Sequence, residues 1–380
     1  MKAIVNGQIV TETGIIWDGV ILLSGDTILK VGKASEVTIP DGVPKIDANG
    51  AYVGPGFVDI HVHAGGAYDL CFEPIQAAEY FLCHGTTTLL ATPSYNMPYN
   101  TFLDAIRSVK TAMEKTPVIK GLYLEGPYMN PKYGARADLN PWRGPIDETQ
   151  FHALVDEAGE DAKVWAIAPE REGIISFLEY ARKVNPEVVF AVGHSEATPA
   201  QIRALGKYKP TLQTHSTNAT GRLPVPGGTR GIGPDEYCFC EPDVYTELIS
   251  DSCAVHVSAE MQQLLLHNKG VHRVVLITDS TSPANENPPE LAHVTDLNFD
   301  HLGGLSGSRM TMEQACRNIM QSSNCGIAQA FLMASTNPAK VIGLGDEIGS
   351  IAPGKKADLV FVDDKFCVKS VILGGKRCEF

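Results

Sequence analysis

The chain of 380 residues has no surplus of basic side chains: 31 Lys and Arg stand against 44 Asp and Glu, a formal net charge of −13. That balance argues against a nucleic-acid-binding surface, which needs clustered Lys and Arg. It leaves room for a phosphorylated small molecule held by a few local basic groups. No stretch approaches the roughly 18 apolar residues that span a bilayer. The opening MKAIVNGQIVTETG also lacks the apolar run of a secretory signal. Framework cysteine spacing is missing too, since nine cysteines are scattered from Cys71 to Cys378. In a chain this long they read as reduced thiols of a cytoplasmic protein. Cys238 and Cys240, one residue apart with no second pair nearby, do not have zinc-ribbon spacing. There is neither an internal repeat nor a low-complexity segment. What is present, 44% hydrophobic and 20% charged residues, is ordinary for a globular protein that buries a sizeable core.

Both ends are written in strands and turns. KAIVNGQIV and GVILLSGDTILKVG near the start, and DEIGSIAPGKKADLVFVDDKFCVKSVILGGKRCEF at the end, leave no room for helices. They are expected to join as one small β-sandwich, with residues 1–53 and 345–380 flanking a central domain of residues 54–344. Within that centre short apolar runs alternate with amphipathic ones. The expected strands are 56–63, 86–92, 119–125, 163–169, 188–194, 210–215, 253–257 and 273–279. FLDAIRSVKTAMEK, EGIISFLEYARKV and AEMQQLLLHNK are among the intervening helices. Eight parallel strands with eight connections predict an α/β fold, a (β/α)8 TIM-type barrel; a doubly wound open sheet is the alternative. The Gly- and Pro-rich stretch ATGRLPVPGGTRGIGPDEYCFCEPD reads as a long functional loop.

Polar residues fall at the ends of these strands: His61 and His63 on the first, Glu125 on the third, His194 on the fifth, His215 on the sixth and Asp279 on the eighth. Each alone has an ordinary explanation, as a hydrogen-bonded histidine, a surface charge or a helix cap. In a barrel, however, the C-terminal strand ends converge on one mouth, where active sites are built. Six such groups in one small volume carry a large desolvation penalty unless a metal or tight pairing offsets it. Imidazole and carboxylate donors without thiolate suit a catalytic site for Zn²⁺, Fe²⁺, Mn²⁺ or Co²⁺, one or two ions per chain. Such a site keeps a position for water and lowers its pKa toward about 7. An Asp beside that water can take its proton and pass it to a leaving group.

The combination of HVH, LEGP (124–127), AVGHS (191–195), QTHSTNAT (213–220), VHVS (255–258), VLITDS (275–280) and LSGSRMTMEQACRNI (305–319) resembles the N-acetylglucosamine-6-phosphate deacetylases of the amidohydrolase superfamily. The likeness covers essentially the whole chain. It implies a cytoplasmic, dimeric, metal-dependent hydrolase that removes acetyl from N-acetylglucosamine 6-phosphate. It further implies that Glu125, His194 and His215 hold the principal metal and that His61 and His63, with Glu125 bridging, hold a second. Asp279 would be the general acid/base. Asn218 and Ala219 match residues that contact sugar and phosphate, His256 a substrate-contacting histidine, and Leu305 the opening of the sugar-side loop. Arg136 stands where the family has a carbonyl-polarising histidine and is a candidate oxyanion donor. Arg222 and Arg230 compete for the phosphate, with Arg230 favoured. Two other readings stay open: another N-acetylated amino sugar or an N-acyl amino acid as substrate, and a non-catalytic barrel scaffold.

Overall fold

A computed structural model describes residues 1–380 apart from 224, 225, 229, 230 and 284. Eight parallel strands follow one another around a single sheet: Phe57–Val62, Thr86–Ala91, Ile119–Glu125, Ala162–Ile167, Val189–Val192, Leu212–Gln213, Tyr245–Ile249 and Val274–Ile277. The sheet bends into a nearly closed barrel instead of staying open. Its first and last edges meet where Asp279 N donates to His61 O at 3.0 Å, and His63 N and Ala64 N donate to Ser280 O at 2.9 and 2.8 Å. Every residue of the first two strands is buried, as expected for strands covered on both faces.

The expected helices occur at Tyr99–Met113, Ile174–Val184 and Ala259–Lys269. The last begins where Ser258 Oγ accepts from Met261 N, satisfying one of the amides left open at a helix start. The seventh strand departs from expectation. It is Tyr245–Ile249, whereas 253–257 lies in a turn. CAVHV has strand-like composition, but the Asp251 carboxylate takes its amides: Cys253 N at 3.1 Å, Val255 N at 2.9 Å and His256 N at 2.8 Å. A side chain that accepts from three amides of one turn competes directly with a sheet ladder.

A second eight-stranded sheet is assembled from both ends of the chain. Lys2–Thr11 pairs with Gly14–Ser24 and with Tyr52–Pro55, and Leu359–Val362 joins antiparallel to Tyr52–Pro55, carrying Val368–Leu373 with it. The barrel is tied to this sheet at its base. Phe57, on the first barrel strand, stacks on Phe331 and Phe366 with centroids 5.5 and 6.0 Å away. The opposite, C-terminal ends of the strands are thereby left for the cavity.

Candidate metal centre and substrate cavity

The backbone itself marks the barrel mouth. His194, His215 and Asp279, each just beyond the end of its strand, adopt left-handed backbone with φ of 44°, 23° and 46°, and Arg136, Thr217 and Ala219 join them at 52°, 67° and 53°. A non-glycine residue pays roughly 1–3 kcal/mol for such a conformation, and these outliers gather at functional sites. The turn points the three side chains inward. Gly134 (φ 106°) presses against this rim: a Cβ there would lie 2.6 Å from His194 Nδ1.

Six side chains from five strands converge. Glu125 Oε1 lies 2.9 Å from His194 Nε2 and 3.2 Å from His215 Nε2, and those two nitrogens are 2.9 Å apart. His63 Nε2 lies 3.3 Å from both Glu125 Oε2 and Asp279 Oδ1. His61 Nε2 is 3.8 Å from Glu125 Oε1 and from Asp279 Oδ1. Two groups result, Glu125/His194/His215 and His61/His63/Asp279, each with its donor atoms within 4.8 Å of one another. Glu125 stands between them.

Charge in this buried volume is strongly coupled. Burial alone would raise the Glu125 carboxyl, yet hydrogen bonds to His194, His215 and His63 hold it well below the usual carboxylate range. Asp279 is likewise opposed by burial but held down by His63 and His61. Burial would lower His63, and the Asp279 and Glu125 carboxylates instead push it up to about 10; Glu125 pushes His215 up to about 9. Desolvation prevails at His194, which is lowered. The carboxylates thus make the cluster a trap for positive charge.

A divalent metal ion fits this donor set. His61 Nε2 is buried without a hydrogen-bond partner, although it points among carboxylates. Three atoms able to ligate a metal, Glu125 Oε1, His194 Nε2 and His215 Nε2, crowd within 3.2 Å of one another. His63 is oriented by Nδ1 donating to Thr92 O at 2.9 Å, so its Nε2 faces inward. Such outward hydrogen bonds are the usual orientation device for ligating histidines. Cys238 belongs to neither group, and burial pushes its thiol up.

The cluster floors a cavity of about 620 Å³, a volume suited to a small ligand. Arg136, Asn218, Ala219, His256 and Leu305 all line it, and Arg136 is the only Lys or Arg among its described lining residues. Arg136 N donates to Asp300 Oδ2 at 3.0 Å. Both ring nitrogens of His256 are engaged, Nδ1 with Asp251 Oδ2 at 3.0 Å and Nε2 with Gly307 O at 3.1 Å. Arg222 is not in the lining; its half-exposed guanidinium sits 3.9 Å from Glu236. Arg230 lies outside the described residues.

Several residues of this region escaped sequence reading. Glu247 is fully buried beside His61, Asp251 holds His256, and Asp300 and Tyr95 line the cavity. The one available signal was a glutamate inside the apolar run TELI, which has no place in a buried strand unless something polar faces it.

The amidohydrolase family profile matches residues 52–378. The chain belongs to the amidohydrolase family. An N-acetylglucosamine-6-phosphate deacetylase of Bacillus subtilis is 30% identical over 327 residues, 81% of this chain and 80% of the relative. An N-acetylgalactosamine-6-phosphate deacetylase of Escherichia coli O157:H7 is 26% identical over 98% of both chains. Among solved structures, a mutant N-acetyl-D-glucosamine-6-phosphate deacetylase of Mycobacterium smegmatis, in complex with N-acetyl-D-glucosamine-6-phosphate, superposes with a TM-score of 0.82 at 25% identity, covering 99% of this chain and 98% of that one. This amidohydrolase is therefore an enzyme that hydrolyses amide bonds.

Proposed function

We propose that this amidohydrolase removes the acetyl group from N-acetylglucosamine 6-phosphate, giving acetate and glucosamine 6-phosphate. The observation that carries the reading is the pair of adjacent donor groups, Glu125/His194/His215 and His61/His63/Asp279, at the floor of one cavity. The relatives named above, one of them solved with that sugar phosphate, supply the substrate class.

Glu125, His194 and His215 would hold the principal metal ion, Zn²⁺ by preference, and His61 and His63 a second. When bound, the metal supplies Lewis acidity toward the acetyl carbonyl and lowers the pKa of water toward about 7. The protein's own groups do the rest. Asp279 accepts the proton of the attacking water on its carboxylate and returns it to the amine nitrogen as the C–N bond breaks. Arg136, the one described Lys or Arg in the cavity lining, would donate to the carbonyl oxygen as its charge develops. Asn218, Ala219 and Leu305 line the space for the sugar, and Arg222 or Arg230 would meet the phosphate. His256, tied on both nitrogens, shapes the wall between Asp251 and Gly307.

The reading includes a cytoplasmic setting and a homodimer. All nine cysteines are free, in keeping with a reducing compartment. No described helix is long and apolar enough to cross a membrane.

The test is acetate release from N-acetylglucosamine 6-phosphate, N-acetylgalactosamine 6-phosphate, N-acetylglucosamine and N-acetyl amino acids. N-acetylglucosamine 6-phosphate should give the highest kcat/KM, with the unphosphorylated N-acetylglucosamine at least about tenfold lower, roughly the worth of one charge-assisted contact. Equal kcat/KM with and without phosphate would remove the substrate assignment.

A further inference from the structure

Glu247 lies at the middle of the seventh barrel strand, fully buried. A carboxylate withdrawn from water needs hydrogen bonds and a nearby positive charge to remain there. Its Oε2 has two donors. One is His61 Nδ1 at 2.9 Å, and the other is the His215 backbone N–H at 3.0 Å. The second bond answers a local problem. His215 leaves the sheet at φ 23°, so its amide finds no strand partner, while the next amide, Ser216 N, returns to Glu247 O at 3.0 Å. One side chain thus fastens the sixth strand's end to the ring of a histidine on the first strand, across the barrel interior.

The bond to His61 fixes the ring's protonation pattern. A carboxylate accepts and cannot donate, so the proton sits on Nδ1 and the Nε2 lone pair is left facing Glu125 and Asp279. Tyr123, stacked on the imidazole at 4.3 Å, closes its far face. His63 is oriented by a neutral carbonyl instead, Thr92 O. Of the two histidines in the His61/His63/Asp279 group, His61 is therefore the one oriented by a buried carboxylate.

We infer that Glu247 is a positioning residue for the ion held by His61 and His63: it sets the tautomer and ring orientation of His61 and so governs whether a second metal ion binds. This rests on the reading of the two donor groups as divalent-metal sites.

The experiment is a Zn²⁺ titration of the metal-free full chain against a chromophoric chelator, in wild type, Glu247→Gln and His61→Asn, with circular dichroism of each metal-free protein. Wild type should bind two ions per chain and His61→Asn one. Glu247→Gln should keep the fold and the tighter ion, and lose affinity for the second about 10–100-fold. ¹⁵N chemical shifts of metal-free protein should show His61 protonated on Nδ1 in wild type. Two ions bound with wild-type affinities by Glu247→Gln, or a His61 ring protonated on Nε2 in wild type, would overturn the inference. One ion in wild type that is retained by His61→Asn would also overturn it, because His61 would not be a ligand. No Zn²⁺ bound by wild type would instead bring down the metal reading on which the inference rests. If Glu247→Gln does not fold, the wild-type tautomer and the His61→Asn stoichiometry still decide it.

Discussion

At the scale of single residues, two carboxylates of the cavity floor differ in geometry. Glu125 has imidazoles on both oxygens, at 2.9 and 3.2 Å on Oε1 and 3.3 Å on Oε2. Asp279 has its closest partner, His63, on Oδ1 alone, and it faces the cavity. That asymmetry suits Glu125 to holding an ion and Asp279 to moving a proton. Asp279→Asn keeps the shape but removes the proton acceptor. It should leave Zn²⁺ stoichiometry within error of wild type while kcat falls by at least about 10²-fold, the lower end expected for a positioned general base. Stoichiometric Zn²⁺ with wild-type turnover would take the proton-transfer role away from Asp279. His61, His63, Glu125, His194, His215 and Asp279 were legible because each ends a strand, and a barrel gathers strand ends. Glu247 was not, because it lies inside a strand and its partner is 186 positions away.

At the scale of elements, apolar runs bounded by turns read correctly where nothing competed for the backbone. TTTLLA and IKGLYLE became strands within a residue of their expected ends. The seventh strand was misread because an aspartate captured the amides of the more strand-like segment, and a glutamate with structural work stood in the true strand. Tertiary partners, invisible in sequence, decided both. A partly buried carboxylate joins elements in the same way. Glu313 opens the helix Met312–Ser323 and accepts from His84 Nδ1 at 2.9 Å and from Val368 N at 2.9 Å, linking the first barrel helix's end to the C-terminal sheet. Burial would raise its carboxyl, but these bonds hold it below its ordinary value of 4.5. A depressed carboxyl contributes stability that is full above the unfolded-state value and fades as pH falls through the folded one. Glu313→Gln should therefore cost about 1.5–3 kcal/mol at pH 7, the range for a hydrogen bond to a charged group. The gap to wild type in urea unfolding should shrink as pH drops below about 4.5. A pH-independent gap would mean that the residue acts through packing instead.

At the scale of the molecule, the two chain ends share one sheet and the sheet is packed at the barrel's base, so the ends stabilise the scaffold while the opposite face carries the chemistry. The strand-rich ends and the βα grammar between them made this architecture readable from sequence. The rim was less readable. Arg230 lies outside the described residues and Arg222 outside the cavity lining, so Arg136 is the one described Lys or Arg that lines the cavity. In an acidic chain with a net charge of −13 and four carboxylates lining its cavity, Asp69, Glu125, Asp279 and Asp300, attraction of a phosphate falls to a few local basic groups.

The most direct measurement is acetate released from N-acetylglucosamine 6-phosphate by the full chain as purified, after exhaustive chelation, and after Zn²⁺ is restored. Hydrolysis by the purified protein, loss of at least about 99% of it on chelation and recovery on adding Zn²⁺ are the predicted results. Undiminished acetate release from protein shown to be free of metal would contradict the account.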